Sequence, residues 1–439
     1  MIQSLSSYNK KINAWCMYDW ANSVYSLVIT TAIFPIFYNS VTTSDSGSDI
    51  VNFFGINIVN SVLYSYSLSF SFLLLTFFQP ILSGIADYSG NKKFFLRLFM
   101  YMGSLSCMSL YFFEGHNVEF GIICSVLASI GFTGSLVFYN AFLPEISEAK
   151  DFDKISARGY SFGYVGSVIL LIICLVLIQN YEFFGFSDSK NATQFTFLLV
   201  GIWWILFSQL TLYFIPEKSY KIDLSKKILL FGANELIKAW NYIKNIRDLK
   251  LYLFSYFFYS MGVQTIMLVA SYFGDKELKL EQSKLIMTIL IIQIIAIFGA
   301  YFFAYISKLK GNKFSLVVMN ICWIFICFSA YYTTNENQFY LLALGVGILM
   351  GGIQSLSRST FSKLILSNRT DNASFFNFYA ITYNISVVIG TFSYGYIEQL
   401  TGSMRTSILA LMSFFIIGLI FLIFTKIKKM MIDDQFKYP

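Results

Sequence analysis

The chain has 439 residues, 56% hydrophobic, 19% aromatic and only 13% charged, with a formal net charge of +7. A soluble domain carries about 25% charged residues, so a surface this poor in charge excludes a water-soluble globular protein. The length instead allows roughly a dozen bilayer crossings of about 20 residues each.

Apolar runs predict twelve spans, at 15–40, 61–86, 93–113, 118–142, 159–180, 195–215, 250–273, 283–306, 314–333, 338–362, 374–398 and 404–425. The first holds Asp19 and Asn22, one turn apart on one helical face. A carboxylate in a membrane helix costs about 2.5–3.5 kcal/mol on insertion scales, so Asp19 calls for a purpose or a partner. Two readings stand side by side: a coupling group that loads and releases a proton, or a carboxylate near the membrane surface paired with lysine or arginine.

With the N-terminus inside, the inner segments hold 26 of the 31 lysines and arginines, and the long outer loop 41–60 holds Asp45 and Asp49 but no basic residue. This asymmetry predicts cytoplasmic termini at both ends. It gives the positive charge a topological use and leaves no call for nucleic acid. No cleavable leader is expected, because the first apolar stretch is too long.

The longest polar stretch, 216–250, is too polar to span. Leu229, Leu236, Trp240 and Ile243 fall near one face of a helix with lysines interleaved, which predicts an amphipathic helix on the cytoplasmic lipid surface. The expected organisation is a six-helix half over 1–215, a linker over 216–250 and a second six-helix half with a short tail over 251–439. The halves look related. Gly90-Asn91-Lys92 after span 2 recurs as Gly311-Asn312-Lys313 after span 8, an offset of 221 residues. Duplicated membrane halves are typical of transporters, with a substrate site near mid-membrane.

Tyr139, Asn140, Gln264, Gln293, Gln354 and Asn384 lie well inside spans. Each either binds substrate or hydrogen-bonds helix to helix. Arg158 and Arg358 lie at cytoplasmic span ends, as latch residues, lipid contacts or a fork for a carboxylate. The acidic run Glu145, Glu148, Asp151, Asp153 predicts a solvated face. Six cysteines lie singly in apolar segments and the single histidine, His116, sits in a loop, a pattern that points to neither disulfides nor a metal site. No catalytic constellation, nucleotide-binding loop or cofactor motif is found, so no catalytic residue, cofactor or metal is expected.

The loop from Ser83 to Lys93 resembles the signature of the major facilitator superfamily, Gly-x-x-x-Asp-Arg-x-Gly-Arg-Lys. Asp87, Gly90 and Lys92 match it and Lys93 adds a charge, while Ser83 takes the first glycine position and Tyr88 and Asn91 replace the two arginines. The resemblance implies a conformational latch at Asp87, Gly90, Lys92 and Lys93. Further stretches resemble the vacuole-effluxer branch of that superfamily, the autophagy-related amino-acid effluxers and their bacterial relatives. They are Tyr18-Asp-Trp-Ala-Asn-Ser with Ile33-Phe-Pro, Phe138-Tyr-Asn-Ala-Phe-Leu-Pro-Glu145, Ser156-Ala-Arg-Gly159, the run from Gly351 to Leu364, and Phe375-Phe-Asn-Phe-Tyr379.

Together these imply an all-α polytopic membrane protein with twelve transmembrane helices in two pseudo-symmetric halves. By resemblance it is a secondary transporter of amino acids, working by alternating access with proton coupling. Its expected partners are a small-molecule substrate, the lipid bilayer and protons, and the expected state is a monomer in a bacterial inner membrane. Transport of another small solute, a membrane-embedded enzyme and a non-transporting receptor are the alternatives. The short tails and the lack of paired catalytic groups count against the last two.

Overall fold

The computed structural model describes residues 2–44, 48–216, 228–365 and 372–427. Asp45, linker residues 217–227 and the tail from 428 lie outside the described residues. Among those described, twelve helices are long and apolar enough to cross a membrane. Their centres coincide with the twelve expected spans.

The first span, Tyr8–Thr42, is not one regular helix. It runs as α1 (Ile2–Val24), a π-helical run (Tyr25–Ile33) and α2 (Phe34–Thr42). Pro35 explains the wider pitch. It lacks an N–H, and its ring would collide with the Thr31 carbonyl in a regular α-helix. Backbone N–H groups therefore reach back five residues, as from Phe34 to the Ile29 carbonyl, and the Thr31 hydroxyl donates to the Ser26 carbonyl at 2.8 Å.

The loop that follows carries a hairpin of β1 (Ile50–Phe53) and β2 (Ile56–Val59), with Ile50 opposite Val59. Its two-residue turn has positive φ at Phe54 and Gly55, the backbone that a tight antiparallel hairpin requires. The remaining helices are α3 (Asn60–Ser89), α4 (Lys92–Ser109), α5 (Val118–Ala141), α6 (Leu143–Ile146), α7 (Phe152–Gln179), α8 (Ser189–Phe214), α9 (Ile228–Asn245), α10 (Arg247–Lys276), α11 (Gln282–Lys310), α12 (Asn312–Tyr332), α13 (Glu336–Leu364), α14 (Asn372–Thr401) and α15 (Met404–Phe424). Gly90 ends α3 in the left-handed region at φ 69°, which glycine adopts without a Cβ penalty.

Two compact units divide the chain. One comprises Met1–Tyr139 with Phe162–Gly232, the other Asn140–Ser161 with Ala233–Pro439. Within the second, α11 and α13 approach so closely that a Cβ at Gly299 would run into the Ile348 backbone, and one at Gly351 into that of Ala296. Small residues at such crossings let membrane helices gain dispersion contact where the hydrophobic effect gives little.

The amphipathic α9 lies on protein more than the lipid-surface expectation allows. Ala239 and Ile243 are buried and Leu236 is half-buried. Tyr242 meets Phe375 edge-on and Trp240 lies over Phe378, with centroids 5.3 and 5.7 Å apart. The aromatic start of α14 supplies the apolar surface that lipid was expected to provide. Trp240 and Ile237 still expose half of their area.

Candidate functional site

In the first unit the chemistry centres on span 1. Asp19 is 4% and Asn22 1% exposed, so both are withdrawn from solvent. The Tyr139 hydroxyl donates to Asp19 Oδ2 at 2.7 Å. Tyr139 is itself held by Trp15, whose ring stacks on it at 4.5 Å and whose indole N–H donates to its carbonyl at 3.0 Å. Asn22 Oδ1 accepts a long bond from Ser23, whereas its Nδ2 meets no acceptor. A buried acceptor and an unmet donor thus stand one turn apart.

The loop expected to be a latch makes an ion pair within itself and a bond to the end of α8. Lys92 pairs with Asp87 at 3.2 Å, with the carboxylate fully enclosed. Lys93 donates to the carbonyl of Ile215 at 3.2 Å, at the C-terminus of α8, where a cation meets unsatisfied carbonyls and the negative end of the helix dipole. The related loop repeats this device. Lys313 donates to the Ile423 carbonyl at 2.6 Å at the end of α15. Where the first loop has Asp87, the second has Lys308, and the acid beside Asn312 comes from elsewhere in the chain.

That acid is Asp153, and it corrects the reading of residues 145–153 as a solvated face. Asp153 is 7% exposed. It accepts from Lys363 at 2.7 Å, Ser307 at 2.6 Å and Asn312 Nδ2 at 2.8 Å. Lys363 also donates to Asn312 Oδ1, and Asn312 to Thr360. This closed knot ties the first turn of α7 to α11, α12 and α13. Glu148, by contrast, is exposed and pairs with Lys150. Nothing in the local sequence distinguishes these two carboxylates; burial is decided by groups more than 150 residues away.

One turn further along α7, Ser156 donates to the Ser355 carbonyl and receives Arg358 Nε at 2.9 Å, while Arg358 Nη2 donates to the Ser156 carbonyl at 2.9 Å. Arg358 Nη1 reaches Asn140 Oδ1 at 3.4 Å, and the guanidinium lies over the Tyr160 ring at 4.2 Å. At 1% exposure this arginine is a core group and not a lipid contact. Arg158 is half-buried in α7.

The other candidates are dispersed. Tyr383 donates to Gln264 Oε1 at 3.0 Å. Gln293 Oε1 is buried without a donor on α11, and Gln354 is half-buried on α13. Asn384 is 1% exposed and neither of its amide atoms has a partner. Asn377, which the sequence reading passed over, is in the same condition at 0% exposure. Sequence reasoning also missed the buried tyrosine group Tyr252, Tyr256, Tyr259 and Tyr379, in which Tyr256 and Tyr379 stack at 4.2 Å. Tyrosines in an aromatic-rich membrane chain give no signal of their own. No cluster of three or more His, Cys, Asp or Glu placed to hold a metal occurs among the described residues.

Twelve spans with buried charge networks define a polytopic, all-helical membrane protein. The backbone matches that of the major facilitator transporter FucP solved in its outward conformation, with TM-score 0.70, 12% identity, and 95% of this chain and 98% of the other covered. The human organic anion transporter MFSD10 matches with TM-score 0.71, 10% identity and the same coverage. The fold is therefore that of the major facilitator superfamily. Within it, the chain belongs to the vacuole effluxer Atg22-like family, whose profile matches residues 7–435. An uncharacterized MFS-type transporter, YxiO of Bacillus subtilis, is 32% identical over 423 residues, covering 96% of each chain. Autophagy-related protein 22 of Eremothecium gossypii is 24% identical over 459 residues, covering 92% of this chain and 88% of the other.

Proposed function

We propose that this member of a transporter family moves an amino acid across the membrane by alternating access, coupled to protons. The observation that carries this reading is the buried face of span 1. An amino acid presents an ammonium, which needs an acceptor, and a carboxylate, which needs a donor; Asp19 and Asn22 offer both within one turn. Asp19 is also the group suited to carry the coupling proton, because an intramembrane carboxylate is costly to keep unless it acts. The Tyr139 hydroxyl donates to Asp19 until cargo or proton takes its place. Asp87, Gly90, Lys92, Lys93, Arg158 and Arg358 serve the conformational cycle rather than the cargo. Both termini face the cytoplasm of a bacterial cell, a reading supported by the basic-residue asymmetry and by the Bacillus relative.

The test is uptake of a labelled amino-acid mixture into proteoliposomes, with and without an imposed pH gradient. Accumulation that collapses with the gradient is expected, together with its loss in Asp19→Asn. Full gradient-driven uptake by that variant would remove Asp19 from coupling. Neither accumulation nor exchange in the wild type would remove the amino-acid cargo.

A further inference from the structure

Among the described residues, Asn377 and Asn384 are the only side chains whose amide oxygen and nitrogen are both buried without a partner. They are seven residues apart on α14, hence on one face about 10 Å apart along the axis. Their exposures are 0% and 1%. Four hydroxyls of α14 are satisfied locally: Thr382, Ser386, Thr391 and Ser393 each donate to a carbonyl three or four residues back, whereas the Tyr394 hydroxyl is buried without a partner. A carboxamide can do the same with its N–H, as Asn320 on α12 does to the Leu316 carbonyl at 2.8 Å, but Asn377 and Asn384 make no such bond.

The opposite side of the helix is firmly fixed. Tyr379 stacks on Tyr256 and Tyr383 bonds Gln264, both on α10. At 100° per residue, Asn377 and Asn384 turn roughly 140–160° away from Tyr379. Amides kept for packing would bond across helices. A buried, unbonded amide in a native structure calls for an explanation, a functional role or a bound water or ion among them.

We propose that Asn377 and Asn384 are two cargo contacts on α14, each hydrogen-bonding the charged ends of a zwitterionic amino acid or the water that accompanies it once the conformational cycle opens this face. The proposal rests on the transport reading above.

The test uses the full chain with its six cysteines replaced by alanine. Asn377→Cys and Asn384→Cys are probed with a membrane-impermeant methanethiosulfonate in inside-out and right-side-out vesicles, with and without a mixture of the standard amino acids. Both are expected to react from at least one side, with the mixture slowing reaction several-fold. In parallel, Asn377→Leu and Asn384→Leu should elute as the wild type does and melt no lower, since each removes an unbonded amide, yet lose about tenfold in uptake, the worth of one hydrogen bond to a charged group. Cysteines unreactive from both sides, or leucine variants within twofold of wild-type uptake, would overturn the proposal. Reactive cysteines in a protein that neither accumulates nor exchanges amino acids would support the opening face while removing the amino-acid cargo.

Discussion

Tyr139 separates two roles within one residue. Its ring and carbonyl are held by Trp15, and only its hydroxyl reaches Asp19. Tyr139→Phe therefore keeps the stack and deletes one charge-assisted bond. Gradient-driven uptake should fall about tenfold, the equivalent of roughly 1.4 kcal/mol, while the melting temperature stays within a few degrees; unchanged uptake would show the bond to be structural only. Asp19, Asn22 and Tyr139 were legible in the sequence because polar atoms stand out in an apolar run. Asn377 sits in an equally apolar run but was overlooked, since nothing in sequence says whether an amide finds a partner. Asp153 was misread for the converse reason. Four acids in nine residues look solvated, and only the fold brings Lys363 to one of them.

At the scale of elements, the Asp153 knot joins the start of α7 to three other helices through a single carboxylate. Asp153→Ala leaves Lys363 and Asn312 facing each other without their acceptor. Breaking a buried ion pair in this way costs about 3–5 kcal/mol, less here because both partners keep a little exposure. Detergent melting curves should drop by several degrees, and Asp153→Asn combined with Lys363→Met should recover much of the loss by leaving no buried charge. A single variant that melts as the wild type does would show the knot to be idle. The hairpin of β1 and β2 did have a signal, because Val51, Phe53, Ile56 and Ile58 alternate around Phe54-Gly55. A reading of the outer loop by charge alone misses it. The π-helical run has only Pro35 to announce it.

At the scale of the whole molecule, the twelve spans were legible because a bilayer demands about 20 apolar residues whatever the packing. The repeat was legible through Gly-Asn-Lys, and the structure gives it content: in each half a lysine at the start of the third span closes the last turn of the sixth. The orientation expected from the basic-residue asymmetry can be checked directly. His116, in the loop before α5, and Lys308, in the last turn of α11, are both exposed and are assigned to opposite sides. In a cysteine-free background, His116→Cys should label with an impermeant maleimide on intact cells, and Lys308→Cys only after permeabilisation. The reverse pattern would invert the topology.

The pitch of span 1 has a bearing on how this chain can change length. In an α-helix, losing one residue turns every later side chain by 100°, so a deletion scrambles the faces on either side of it. A π-helical run holds more residues per turn. Tyr25–Ile33 therefore stores slack that a one-residue loss can draw on by tightening towards α pitch. Among the described spans this is the one where insertions and deletions can accumulate while Asp19 below and Phe34 above keep their neighbours.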